Sequence, residues 1–169
     1  MVGACHLWVS KMETASELFE RVLNAAITQI KAKAVPVFTF AFYHDHESSA
    51  VSVCVDTEEN SKRFVRSSNR RCMRHFFEKI AEGDLDAARL WQANIGRNLS
   101  LGDFALVNVA RTDLGGVRVG KQFHLSMARA LIAVQRQIAA LAPEPERLVL
   151  ACSSADDEVG LAWSLPEDV

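Results

Sequence analysis

The stretch VFTFAFYHDHESSAVSVCVDTEE, from Val37 to Glu59, decides the fold. Between Val37 and Tyr43, Phe38, Phe40 and Phe42 alternate with Thr39, Ala41 and Tyr43. A period of two in aromatic and β-branched residues predicts a strand on a pleated, half-buried surface. The polar run His44–Ser49 interrupts the pattern. Alternation resumes at Ala50–Val55, with Val51, Val53 and Val55 on one face and Ser52, Cys54 and Asp56 on the other. Two alternating runs around a short polar link predict an antiparallel hairpin, although a link without glycine is not a tight two-residue turn. Asp56 or Thr57 suits a helix N-cap, and Glu58 and Glu59 suit a first helical turn. The second strand is therefore expected to run directly into a helix.

Upstream of this stretch, Thr14 and Glu17 have the spacing of a capping box. Leu18, Phe19, Val22, Leu23, Ala26, Ile27 and Ile30 then form one helical stripe. Pro36 predicts an end near Lys33. Downstream, residues 58–82 read as helical, with Phe64, Val65, Cys72, Met73, Phe76, Phe77 and Ile80 expected on an inner face. Ser67, Ser68 and Asn69 are weak helix formers that invite a break. Gly83 is a stop signal, and Asp84 can cap a short helix through Trp91. A third strand is expected at 104–109, a long helix at 121–141 ended by Pro143 and Pro145, and a buried strand at 148–152. The tail is acidic, with a short apolar stretch at 161–163. This order predicts an α+β fold: a mainly antiparallel sheet with amphipathic helices packed chiefly on one face. Residues 1–169 read as one domain, with 1–13 a loose arm and Trp8 docking on the body.

A chain of 169 residues with 49% hydrophobic and 24% charged residues is long enough for a core without staples and is not disordered in composition. Its net charge of -2 gives no global attraction to nucleic acid or anionic lipid. No apolar run approaches the roughly 20 residues of a membrane span, and the N-terminus lacks signal-peptide features. Cys5, Cys54, Cys72 and Cys152 are widely spaced, which reads as buried free thiols in a reducing cytoplasm.

No motif identifies a reaction. His44-Asp45-His46 invites a metal reading, since in a strand the two histidines share a face. No Cys/His set completes it in the sequence, so no metal is assigned and a solvated hairpin tip is expected. Lys62, Arg66, Arg70 and Arg74 recur every four residues and would form a basic ridge on a continuous helix. Without a nucleic-acid motif this reads as a solvated face, and nucleic acid is not an expected partner. Gly115–Lys121 matches neither phosphate-binding glycine pattern. Cys152, Ser153 and Ser154 lack a paired base, so no catalytic residue, enzymatic activity or cofactor is assigned. The acidic run Asp156, Asp157 and Glu158, with Asp45 and Glu47 of the hairpin tip, is the expected contact surface for a basic partner.

The segments FTFAFYHDHESS, VCVDTEENSKRF, LWQANIG and LVLACSSADDEVGLAWS, in this order, resemble a family of small bacterial proteins. That family in turn resembles the immunity partners of secreted (polymorphic or type VI) toxins. The basic helix 62–79 and the Ser164-Leu165-Pro166 ending depart from its pattern. The resemblance implies a cytoplasmic protein without a cofactor that binds a cognate toxin and blocks its active site or assembly. The alternatives are a small hydrolase or nucleotide-binding enzyme, which needs His44, His46 or His124 to converge with carboxylates in a pocket. A nucleic-acid-binding adaptor using helix 62–79 is the other.

Overall fold

The computed structural model describes residues 14–165. Helix α1 (Ala15–Ala32) begins at a complete capping box: the Glu17 amide donates to Thr14 Oγ1, and the Thr14 amide donates to Glu17 Oε2 at 2.9 Å. It ends on Lys33, as Pro36 requires. Strands β1 (Thr39–Asp45) and β2 (Ala50–Asp56) pair antiparallel, with Thr39 opposite Asp56 and Asp45 opposite Ala50. The turn spans residues 46–49. Its shape comes from Ser49 in the left-handed region (φ 47°) and from Asp45, whose carboxylate accepts the Glu47 and Ser48 amides. The strand thus runs two residues further than the sequence alternation suggests. His44 lies inside it and is buried.

The chain continues through α2 (Glu58–Glu82), α3 (Leu85–Arg89), β3 (Leu106–Asp113), α4 (Lys121–Ala133), α5 (Gln135–Ala139), β4 (Val149–Cys152) and β5 (Leu161–Ser164). The five-stranded sheet has the order β3-β2-β1-β4-β5. Only β1 and β4 run parallel; the other pairs are antiparallel. The hairpin is therefore central and covered on both faces, which is why the polar positions Thr39, Ser52 and Asp56 are fully buried alongside the valines and phenylalanines. On one face Phe40, Phe42, Val51, Val53, Val55 and Leu150 meet the apolar stripe of α1 and Met127, Leu131 and Ile138 of α4 and α5. On the other face Ala41, Tyr43, Cys54 and Ala151 meet Leu101 and Phe104 of a short 3-10 turn. This is the expected α+β architecture.

The polar groups on that second face are satisfied rather than solvated. Asp56 Oδ1 accepts the Thr57 amide (3.0 Å), the Asn60 side-chain amide (2.7 Å) and the Ala105 amide (3.1 Å). A bulge on β3 between the Val53 and Val55 pairings lets Asn108 adopt φ 53°. There its side-chain Oδ1 accepts the Tyr43 and Ser52 hydroxyls. Arg97 closes the far end of β1. Its guanidinium lies 3.9 Å from the Phe38 ring and donates to the carbonyls of Phe38 and Arg147, each at 2.7 Å.

Three expectations are corrected. Residues 58–82 form one uninterrupted helix. Asn69 sits mid-helix because it exchanges two hydrogen bonds with the backbone of Asn94, at 2.9 and 2.8 Å. The inner face of α2 is not packed on the sheet: Ser61 is its only buried residue, and Met73, Phe77 and Ile80 are exposed. The helix expected at 121–141 divides at Val134 into α4 and α5. The N-terminal arm, with Trp8 and Cys5, lies outside the described residues. Among these, no helix is long and apolar enough to cross a membrane.

Candidate functional site

Two surfaces stand out, one at each end of the hairpin. At the carboxyl ends of the parallel strands β1 and β4, the hairpin turn and the 153–160 loop lie side by side. The Ser153 hydroxyl joins them by accepting the His44 amide at 2.8 Å and donating to the Glu158 carbonyl at 2.8 Å. Asp156, Asp157 and Glu158 are exposed on this loop, and Glu47 is exposed on the turn. The loop folds so tightly that a Cβ on Gly160 would lie 2.1 Å from Ser154 Oγ, so a glycine is needed there. Asp45 is committed within the chain. Its carboxylate holds Ser48 and pairs with Arg111 at 2.9 Å.

The Ser48 hydroxyl and amide, with Arg111, hold the Asp45 carboxyl below its ordinary 3.8, at about 2. A depressed folded-state value gives stability that is complete above the ordinary value and is lost as pH falls from 3.8 toward about 2. Asp45→Asn should therefore flatten the acid limb of the stability curve in that window, measured by urea unfolding at a series of pH values. An unchanged limb would show that the Asp45 cluster does not favour the folded state.

His44, His46 and His124 meet at the same end. The first two come from the end of β1 and its turn; His124 comes from the first turns of α4. Ring centroids are 4.3 Å apart for His44–His46, 5.6 Å for His44–His124 and 6.1 Å for His46–His124. One ring nitrogen from each lies within 4.8 Å of the others. His44 is 4% exposed, and its Nδ1 has no hydrogen-bond partner; nor has Nε2 of His124. Phe123 packs its ring 5.1 Å from His44 and 5.2 Å from His124, fixing both. Burial, then the neighbouring histidines, push His44 below its ordinary value; burial and His46 do the same to His124, against the opposing pull of Asp156. These causes favour neutral imidazoles with free lone pairs. The cluster borders a groove of about 670 Å³ whose wall includes His46, His124, Ser153, Ser154, Leu125 and Leu161. The sequence offers all three histidines as candidates to converge in a pocket, but places only His44 and His46 near one another. His124 lies on a helical stretch that carries no motif.

The other surface is the α2–α3 arm. Thr57 caps α2 through the Asn60 amide, and Gly83 ends it at φ 79°. Asp84 caps α3 by accepting the Ala87 amide at 2.9 Å. The 91–95 segment lies back on α2 through the Asn69–Asn94 exchange and the His75–Trp91 ring contact at 4.4 Å. Between them is a groove of about 420 Å³ lined by Asn69, Met73, Phe76, Phe77, Trp91 and Ile95, among others. Met73 is 56% exposed, Phe77 62%, Leu85 68% and Ile95 100%. The basic ridge runs beside this apolar stripe. Lys62 pairs with Glu58 at 2.7 Å, whereas Arg70, Arg71 and Arg74 are exposed and have no carboxylate partner among the described residues.

The remaining chemistry is structural. Burial pushes the Cys54 thiol up to about 11 and the Cys152 thiol up to about 12, which leaves both un-ionised and unreactive near neutral pH. Compared with known proteins, the chain matches no family model, no curated protein and no solved structure.

Proposed function

We propose that this protein works by binding another protein, and that the partner is the secreted bacterial toxin implied by the family resemblance. One observation supports binding above all. The α2–α3 arm carries a contiguous apolar groove that no part of the described chain covers. Exposed apolar patches of this kind, containing aromatic residues, mark protein interfaces. Arg70, Arg71 and Arg74 beside the groove favour a partner that inserts an apolar segment with a carboxylate-bearing rim. Such a partner would be held in the cytoplasm in an inactive form, with no reaction catalysed. Glu47 and Asp156–Glu158, at the opposite end, offer a second surface for a basic region, as the toxin's catalytic cleft would be if it acts on nucleic acid.

The convergence of three histidines beside a groove favours a second reading, a small hydrolase. Against it, the described residues of the groove wall supply two hydroxyls but no carboxylate to act as a general base.

Co-expression with the product of the neighbouring gene tests the first reading, scored by protection from toxicity and by co-purification. Phe77→Asp and Met73→Asp should each weaken the complex by about 2 kcal/mol or more, roughly thirtyfold. Both sites are exposed, so circular dichroism should be unchanged. If the native chain neither protects nor co-purifies, the toxin reading is wrong. If both arm variants still protect while reversal of Asp156, Asp157 and Glu158 abolishes protection, the acidic loop is the contact instead. If the arm variants convert a dimer to a monomer without altering protection, the groove's occupant is a second copy of this chain.

A further inference from the structure

We propose that His44, His46 and His124 form a three-histidine site for a divalent transition metal of the zinc class, with its fourth position open to the adjoining groove. The proposal is independent of the α2–α3 arm.

The ligand atoms are already gathered. One nitrogen from each ring lies within 4.8 Å of the others. Three nitrogens each about 2.0–2.1 Å from a tetrahedral zinc lie roughly 3.3 Å apart. Closing that difference needs side-chain rotation, and His46, on the exposed turn, has the freedom to provide it. His44 and His124 are held by the Phe123 ring between strand and helix.

A buried imidazole normally finds a partner for each polar nitrogen. His44 Nδ1 has none, although the residue is 4% exposed, and His124 Nε2 has none either. Among the described residues these are the buried side-chain nitrogen and oxygen atoms left without a partner, and both fall in one cluster. A metal ion accounts for both at once. Three imidazoles without a thiolate suit Zn(II), Co(II), Ni(II) or Cu(II), and exclude the oxygen-seeking Mg(II) and Ca(II). Three protein ligands beside open space are the pattern of a zinc site that retains an exchangeable position. Ser153 and Ser154 border that space.

The test uses the full-length chain, stripped with a chelator and dialysed. Zn(II) affinity is measured by competition with a chromophoric chelator, and geometry by the visible absorption of the Co(II) form. One equivalent is expected, with tetrahedral Co(II) bands. His46→Ala and His124→Ala should each weaken zinc binding about 100-fold or more, since even residues outside the ligand set cost 10–100-fold. Neither position is fully buried, so the metal-free variants should match the parent in circular dichroism and melting. His44→Asn should also lose the Co(II) bands, but its burial makes it the weaker test. The control carries Cys5→Ser, His6→Ala, Cys72→Ser and His75→Ala, which remove every cysteine and histidine of the sequence except the proposed ligands and the buried Cys54 and Cys152, and should leave binding intact. The proposal is overturned if the native chain binds less than one equivalent, if both alanine variants bind as tightly as the parent, or if the control abolishes binding.

Discussion

Phe19→Ala is expected to cost about 3–5 kcal/mol of folding free energy, the range for removing a buried phenylalanine. Phe19 is fully buried on α1. Its ring meets Phe42 of β1 edge-on at 5.5 Å and Phe123 of α4 at 5.2 Å. One side chain thus joins the first helix, the central strand and the helix that carries His124. Removing it leaves a cavity that three elements of fixed backbone cannot jointly collapse to fill. Edge-to-face contacts add to the area term. Equilibrium denaturation in urea measures the loss, and a loss below about 1.5 kcal/mol would mean that the three layers repack. Phe123 also supports His44 and His124, so the variant should loosen the histidine cluster as well. Broadened imidazole resonances would report this separately from stability.

Asp56→Ala is expected to cost about 3–5 kcal/mol through a different mechanism, the stranding of buried donors. The Thr57 and Ala105 amides and the Asn60 side chain all donate to Oδ1, and the Asn98 side chain approaches Oδ2 at 3.5 Å. Alanine removes every acceptor at once and uncouples the end of β2, the start of α2 and the loop before β3. Asp56→Asn retains Oδ1 and should cost only about 1 kcal/mol, the net value of a typical hydrogen bond. The two variants also differ in pH dependence. Burial outweighs the donors and raises the Asp56 carboxyl above its ordinary 3.8. A raised folded-state value gives stability that is complete below 3.8 and is lost as pH rises through the folded value. The asparagine variant removes that loss. Its deficit relative to the parent should therefore be larger below pH 3.8 than near neutrality. Equal costs for alanine and asparagine at every pH would contradict the stranded-donor account.

The corrected expectations have local causes. Alternation in β1 and β2 located both strands, because side-chain direction in a strand is a local property. It could not say that the pair would be central and covered on both faces. Periodicity on α2 likewise identified an apolar stripe, but not what would cover it. The second face of the sheet is filled by Leu101 and Phe104 instead, so Met73 and Phe77 remain open to solvent. Asn69 looked like a helix breaker. Its hydrogen bonds go to Asn94, beyond the next helix, and remove the competition with its own backbone that makes asparagine a weak helix former.

By itself, then, the sequence determined the hairpin, its direct entry into α2, and both helix caps, Thr14 with Glu17 and Gly83. Each depends on φ/ψ preference or on hydrogen bonds spanning a few residues. It also marked His44 and His46 as two imidazoles on one strand face. Only the tertiary structure brought His124 to them and left the α2–α3 groove uncovered. Both outcomes depend on which elements become neighbours. Parallel pairing of β1 with β4 seats the Ser153 loop against the hairpin, and α4 packs across that end. Contacts of this kind join residues far apart in the chain, and no periodicity within either segment encodes them.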